Sequence, residues 1–346
     1  MKPILIFCAL WLLTHVGLQA QSLPASDTLP SLFAALYALP DSVPVLRLDT
    51  DWPMLIRHKM EMEYQPATLA WAGPGGREWS AAVQVKTRGN MRKQVCFYPP
   101  LKIKVPKKQL QAWGMNTEFN EIKIALQCQS GVREAEWLLK EWFIYQLYQD
   151  IGPASLRARW LKIDVRQDGK EKIVLYALLL EDEEEMAARF GARLAKQGQM
   201  RPTVLERESY VRLCFFQYLI ANTDWYIPTR HNLEFIQAPQ FPGIIAIPYD
   251  FDYSGLVHTK YAVPHESLPI KSVGERHFQG YQVTEAEATQ AARFFLERKE
   301  AILQQCRDLQ GLEPYSRKAL LRMADEFFDT LEDEKKLKRT FVTASK

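Results

Sequence analysis

The chain has 346 residues, with 44 Lys and Arg against 41 Asp and Glu and a formal net charge of +3. These charges are interspersed along the chain, which argues against a nucleic-acid-binding protein, and the length is that of an enzyme-sized globular protein. No HExxH or CxxC spacing occurs, so nothing in the sequence signals a zinc site.

Residues 1–20, MKPILIFCALWLLTHVGLQA, read as a secretory signal peptide: Lys2, an apolar run from Ile4 to Leu13, then small Ala20. Cys8 lies inside the apolar run without the small neighbours of a lipidated cysteine, which does not favour a lipoprotein. No later apolar run approaches the roughly 18 residues needed to cross a bilayer. The expectation is therefore a secreted or periplasmic protein with no transmembrane segment after signal removal. Residues 21–43 form a Pro-punctuated leader with one helical pattern, Leu32 to Leu39.

From 44 to 183 the pattern is sheet-rich with one helix. VPVLRLDT, ATLAWAG, SAAVQVKTRG and PPLKIKVP are short alternating or β-branched runs separated by Gly and Pro, as antiparallel strands require. EAEWLLKEWFIYQLYQDIG carries Leu138, Trp142 and Tyr145 in helical spacing and stops at Gly152-Pro153. Asp168-Gly169 between two apolar runs is a strong hairpin signal. The acidic run Glu181 to Glu185 reads as a solvated connector and helix start rather than a cation site.

From 184 to 346 the chain is helix-rich. Thr284 followed by Glu287 forms a capping box, and the terminal DEFFDTLEDEKKLKRTF reads as an amphipathic surface helix. Cys96 and Cys128 each flank a predicted strand, so an oxidising compartment allows them to pair, although spacing alone does not fix connectivity. Cys306 reads as a free buried thiol, and Cys214 is open between the two states.

The chemistry concentrates in NTDWYIPTRHNLEFIQAPQFPGIIAIPYDFDYSG, residues 222–255. Two apolar β-leaning runs joined by APQFPG read as a hairpin, with Asp224 and Asn232 on its entry and Asp250 on its exit. Asp and Asn more often make turns than bind metals, but in this order around a hairpin they form a candidate site. Hard cations take oxygen ligands and keep several waters beside phosphates, so Asn232 and Asp250 suffice as metal ligands. Asp224 remains to accept or orient a proton. Asp252 reads either as a second ligand or as a turn former before Ser254-Gly255, and His231 as a support for the loop. The phosphate-facing half would come from VKTRGNMRKQVCFYPPLKIKV, a turn at Gly89-Asn90 followed by Lys102 and Lys104 on one face of a strand; a solvated basic hairpin is the competing reading. Glu141 is the candidate partner for a strand lysine, with Glu136 second.

The motifs VKTRGNMRK with PPLKIKV, LLLEDEEEMAARFG, NTDWYIPTRHN and IPYDFDYSGLV resemble the CotH kinase-like family, named for a bacterial spore-coat protein, and in particular its exported Bacteroidetes-type members. The resemblance spans about residues 44 to 265. It implies an α+β, two-lobed atypical protein-kinase-like fold with a sheet-rich N-lobe and a helix-rich C-lobe. It further implies ATP with Mg²⁺ or Mn²⁺, and phosphotransfer to hydroxyl side chains of an exported or envelope protein. On this basis Asp224 is the catalytic aspartate, Asn232 and Asp250 are metal ligands, Lys102 or Lys104 contacts ATP phosphates, and Arg88 and Asn90 line the nucleotide site. Trp225 and Met91 depart from the family's usual Arg and Ser. The alternative is a catalytically degenerate kinase-like module that binds a nucleotide, a metal or an envelope partner, with the aromatic surface around Trp225 and Tyr226 as one contact.

Overall fold

Seven strands, β1 (Val45–Thr50), β2 (Gln65–Ala72), β3 (Glu78–Thr87), β4 (Leu101–Lys104), β5 (Glu121–Leu126), β6 (Ala158–Gln167) and β7 (Lys170–Leu180), close into a barrel in the order β1-β2-β3-β4-β5-β7-β6. The computed structural model describes residues 29–344 except 196, 197 and 199, so the predicted signal peptide and the start of the leader lie outside the described residues. Among these residues no helix is long and apolar enough to cross a membrane.

Strict alternation builds the barrel. Ala81, Val83 and Val85 of β3 and Leu101 and Ile103 of β4 point inward, and their polar neighbours point out. The turn between β6 and β7 places Asp168 and Gly169 at φ 53° and 75°, the left-handed conformation that a two-residue hairpin of this type demands. Asp49 of β1 accepts a hydrogen bond from the Gly169 amide at 2.6 Å. Neighbouring strands are antiparallel except β1 and β6, which run parallel. That pairing closes the sheet and removes its edges, a closure that the separate alternating runs do not announce.

The helix Val132–Gln149 lies between the barrel and the rest of the protein. On one side Leu138 packs with Ala125 of β5 and Leu178 of β7, joined by Trp142 and Trp160. On the other, Phe143, Ile144, Leu147 and Tyr148 enter a second core with Phe215 and Phe216. A helix covered on most sides must be apolar on most sides, and its two buried acids, Glu136 and Glu141, each have a partner. Glu136 accepts from the Glu313 amide and from Ser316 Oγ, at the start of the helix Pro314–Glu332.

The second body holds the helices Arg207–Leu219, Glu285–Leu296 and Lys299–Asp308, and a small sheet in which β9 (Leu233–Gln237) lies between β8 (Arg193–Leu194) and β10 (Ile245–Pro248). Thr284 and Glu287 make both bonds of the capping box. The terminal stretch is not one surface helix. It breaks at Asp333, which caps a separate helix Glu334–Phe341, and Phe327, Phe328 and Phe341 are buried.

Cys214 and Cys306 are free and buried, whereas Cys96 and Cys128 are bonded across a sequence separation of 32. The bond ties the short helix Met91–Val95 to the segment entering the helix Val132–Gln149. Loop-closure entropy for a loop of this size corresponds to about 3–4 kcal/mol. The double variant Cys96→Ala, Cys128→Ala should therefore lose about that much stability in urea denaturation; an unchanged midpoint would show that the bond restrains nothing.

Candidate functional site

The helix Arg207–Leu219 delivers the first carboxylate. Ala221, at φ 50°, turns the chain out of the helix, and Asn222 fixes the turn: its Nδ2 donates to Gln217 Oε1 at 2.9 Å and its Oδ1 accepts from the Asp224 amide at 3.0 Å. Trp225 is buried and anchors the next residue in the helical core. The long segment to Asn232 folds back on itself, because the backbones of Tyr226 and His231 exchange two hydrogen bonds. Asn232 thereby arrives beside Asp224 despite eight residues of separation.

Asp224 is held at both carboxylate oxygens, Oδ1 by His231 Nε2 at 2.8 Å and Oδ2 by Asn232 Nδ2 at 2.9 Å. The support role expected for His231 is thus a direct contact. β9 and β10 form the expected hairpin, and the Tyr249 amide donates to the Asn232 carbonyl at 3.1 Å, joining exit to entry. Asn232 and Asp250 both have positive φ, 53° and 57°, a conformation that costs a non-glycine residue energy and is retained where the surroundings enforce it. The Asp250 amide donates to Tyr145 Oη at 3.1 Å. Gly255 donates to the Ala221 carbonyl, and a Cβ there would lie 2.3 Å from the Val273 carbonyl oxygen, so the two loops approach too closely for any side chain.

These groups line a cavity of about 610 Å³ between the barrel and the helical body, with Arg88, Asn90, Arg92 and Glu141 on its barrel side. Asp250 sits on the floor, open to the cavity yet ringed by protein. That burial and the charge of Asp252 push its carboxyl up to about 8 against the pull of Arg92. Asp252 is buried and spoken for: its Oδ2 accepts from Arg92 Nε and Tyr261 Oη, both at 2.9 Å. Arg92 also pairs with Glu141. Burial would lower this guanidinium, but Glu141, then Tyr261, Asp252 and Asp250, hold it well above its ordinary value. Burial raises Glu141, with Arg92 opposing.

The structure thus brings Asp224, Asn232, Asp250, Asp252, Arg88, Asn90 and Glu141 to one cavity. It leaves Lys102 and Lys104 outside it. Both project from the barrel surface and pair with Glu121, at 2.9 and 3.7 Å. Glu141 meets Arg92, not a strand lysine. The barrel lysine that does face the cleft is Lys123 of β5, which lines a smaller adjoining cavity of about 100 Å³ with Arg88, Tyr145, Leu180 and Tyr249. Burial lowers it, and Asp182, 2.8 Å away, opposes that shift. EIKIAL shows the same alternation as LKIKV, and that was its available signal. Arg92 had none beyond its place in a basic turn.

A scan against protein-family models returns no match, and no curated protein sequence matches the chain. Among solved structures, the chain is similar to the crystal structure of a Helicobacter pylori proinflammatory kinase, CtkA. The identity is 12%, the match covers 66% of this chain and 90% of that chain, and the TM-score is 0.36.

The acidic connector after β7 starts a helix as expected but is solvated only in part, with Glu184 exposed and Glu181 and Glu185 buried. Glu181 is buried between Arg157 and Arg189, Asp182 caps the helix Glu183–Arg189, and Lys123 pairs with Asp182 and Glu183. Glu185 is buried beneath the leader, where it accepts from Ser31 Oγ; burial, despite that hydrogen bond, raises its carboxyl to about 7. The sign follows from linkage: between about 4.5 and 7 the folded protein holds a proton that the unfolded chain has released, so this group's contribution falls as pH rises through that window. Glu185→Gln should gain on wild type from pH 5 to pH 8 by up to about 3 kcal/mol, measured as the pH dependence of urea midpoints. Parallel curves for the two proteins would refute the shift.

Proposed function

We propose that the protein is a phosphotransferase of the CotH kinase-like type, exported from the cytoplasm, that moves the γ-phosphoryl group of ATP to a hydroxyl side chain of a protein. The observation that carries this reading is the juxtaposition at one cavity floor of a doubly supported carboxylate, Asp224, with Asn232 and the proton-hungry Asp250. On this reading the barrel is the N-lobe, the helical body the C-lobe, and the connector at Glu181 the junction between them.

The donor set fits a hard divalent cation. Asp250 faces the cavity with its carboxyl raised by burial and by the charge of Asp252, and the Asn232 amide, with its nitrogen committed to Asp224, has its carbonyl oxygen left as donor atom. Among the described residues no group of three His, Cys, Asp or Glu side chains could hold a metal by itself, so an ion here would have to complete its shell with phosphate oxygens and water. Asp250 and Asn232 would hold Mg²⁺ or Mn²⁺, whose chemistry is to neutralise the charge on transferring phosphate oxygens. Asp252 is the weaker ligand, since Arg92 and Tyr261 occupy one of its oxygens.

The protein's own residues do the rest. Asp224 orients the acceptor hydroxyl and takes its proton; His231 and Asn232 prevent its carboxylate from rotating. Arg88, which faces both cavities, offers positive charge to the phosphates, and Leu156, Leu180 and Tyr249 give the smaller cavity its apolar wall. Positioning and charge neutralisation account for most of such catalysis.

Transfer from γ-labelled ATP with Mn²⁺ tests the reading. Asp224→Asn and Asp250→Asn should each reduce incorporation by on the order of 10²-fold or more, while Lys104→Ala, outside the cleft, should stay near wild type. Equal incorporation by all four proteins would remove the assigned site.

A further inference from the structure

We infer that Arg92 is the positioning residue of this site, the group through which the helix Val132–Gln149 and the Asp250–Asp252 segment are held in one arrangement. The inference rests on the phosphotransfer reading for what is positioned, and on geometry for how. Arg92 emerges from the short helix Met91–Val95, whose C-cap Cys96 is disulfide-bonded to Cys128. Its base is therefore tied to the segment that leads into the helix bearing Glu141. From that base a single planar guanidinium reaches two acids on two different elements: Nη2 pairs with Glu141 and Nε donates to Asp252 at 2.9 Å.

All three side chains are shielded, with 12% exposure for Arg92, 2% for Glu141 and 6% for Asp252. Neither acid tolerates loss of its counter-charge there. Tyr261 completes Asp252, and Thr259 Oγ1 donates to its carbonyl at 3.1 Å, so Asp252 has a fixed place once Arg92 is present. Asp250 is two residues away, on a left-handed turn that Tyr145 of the same helix Val132–Gln149 also contacts. Fixing Asp252 and that helix against each other therefore fixes the cavity floor. The lysines of β4 and β5 are committed elsewhere: Lys102 and Lys104 are on Glu121, and Lys123 is on Asp182 and Glu183. A lysine ammonium at position 92 would carry its donors on one nitrogen, without the fixed planar spread from Nε to Nη2 that spans the two acids.

The test uses the full mature chain with Arg92→Met, Arg92→Lys, Glu141→Gln and the double variant Arg92→Met, Glu141→Gln, each verified as folded at the assay temperature. Two readouts are taken: steady-state transfer from ATP, and the thermal shift produced by Mn²⁺ with ATP. Arg92→Met should lower kcat by on the order of 10²-fold, the cost of misplacing a reacting group by about an ångström, and should abolish the thermal shift. Arg92→Lys should recover part of both. The double variant should be no worse than Arg92→Met, because the two residues act as a unit.

Wild-type kcat in folded Arg92→Met, or losses that multiply in the double variant, would overturn the inference. If Arg92→Met does not fold, Arg92→Lys and Glu141→Gln decide: an undiminished kcat in both would refute the role. A wild type that transfers no phosphate but shows a thermal shift lost in Arg92→Met would reject phosphotransfer and support positioning. A wild type with neither response would reject both.

Discussion

Glu141 and Asp252 carry two negative charges into the junction of the barrel and the helical body, and the Arg92 guanidinium is what makes that burial tolerable. Unpaired, each carboxylate would face a desolvation cost of several kcal/mol; paired, they become the fixed points between a helix and a loop that the hydrophobic cores alone would leave free to slide. The disulfide at Cys96 and the aromatic contact of Tyr145 with Phe251, at 4.9 Å between ring centroids, brace the same junction from two directions. The cavity that holds Asp224, Asn232 and Asp250 lies at this junction, with Arg92, Glu141 and Asp252 in its wall.

The cavity floor shows how strain and function are distributed. Ala221, Asn232 and Asp250 adopt left-handed backbone conformations within thirty residues, and each sits where the chain reverses close to a carboxylate. Hydrogen bonds offset the local cost: Asn222 and Asn232 pin Asp224, and the Tyr249 amide closes the hairpin mouth. The result is one carboxylate held at both oxygens and another, Asp250, raised by burial and by the charge of Asp252. On the proposed phosphotransfer reading, that asymmetry separates a proton-handling group from a cation-holding one.

The connector adds a second layer of buried charge. Within this run Glu181 pairs with two arginines, Asp182 and Glu183 share Lys123, and Glu185 meets Ser31. A run that looks like a solvated acidic face is therefore a set of separate contacts linking leader, barrel and helical body. The leader takes part through Arg157, which lies over the rings of Phe33 and Tyr37 while pairing with Glu181.

Local rules carried much of this architecture. Alternation named barrel strands and put Lys102 and Lys104 on one face without saying what that face meets; Asp168-Gly169 set a hairpin turn, Thr284 and Glu287 a helix start, and the order of Asp224, Asn232 and Asp250 a loop and hairpin returning to one place. Each depends on a backbone preference or a two- or four-residue periodicity that neighbouring residues enforce. What the tertiary structure decided was which charges meet. The antiparallel pairing of β4 with β5 set Lys102 and Lys104 against Glu121, while Lys123 of β5 came to line the cleft, and the disulfide tied the base of Arg92 near Glu141, 49 positions away. Charge pairing acts over a few ångströms in space and is blind to sequence distance, so a residue's type and its local pattern reveal that it can pair, and only the packed fold selects its partner.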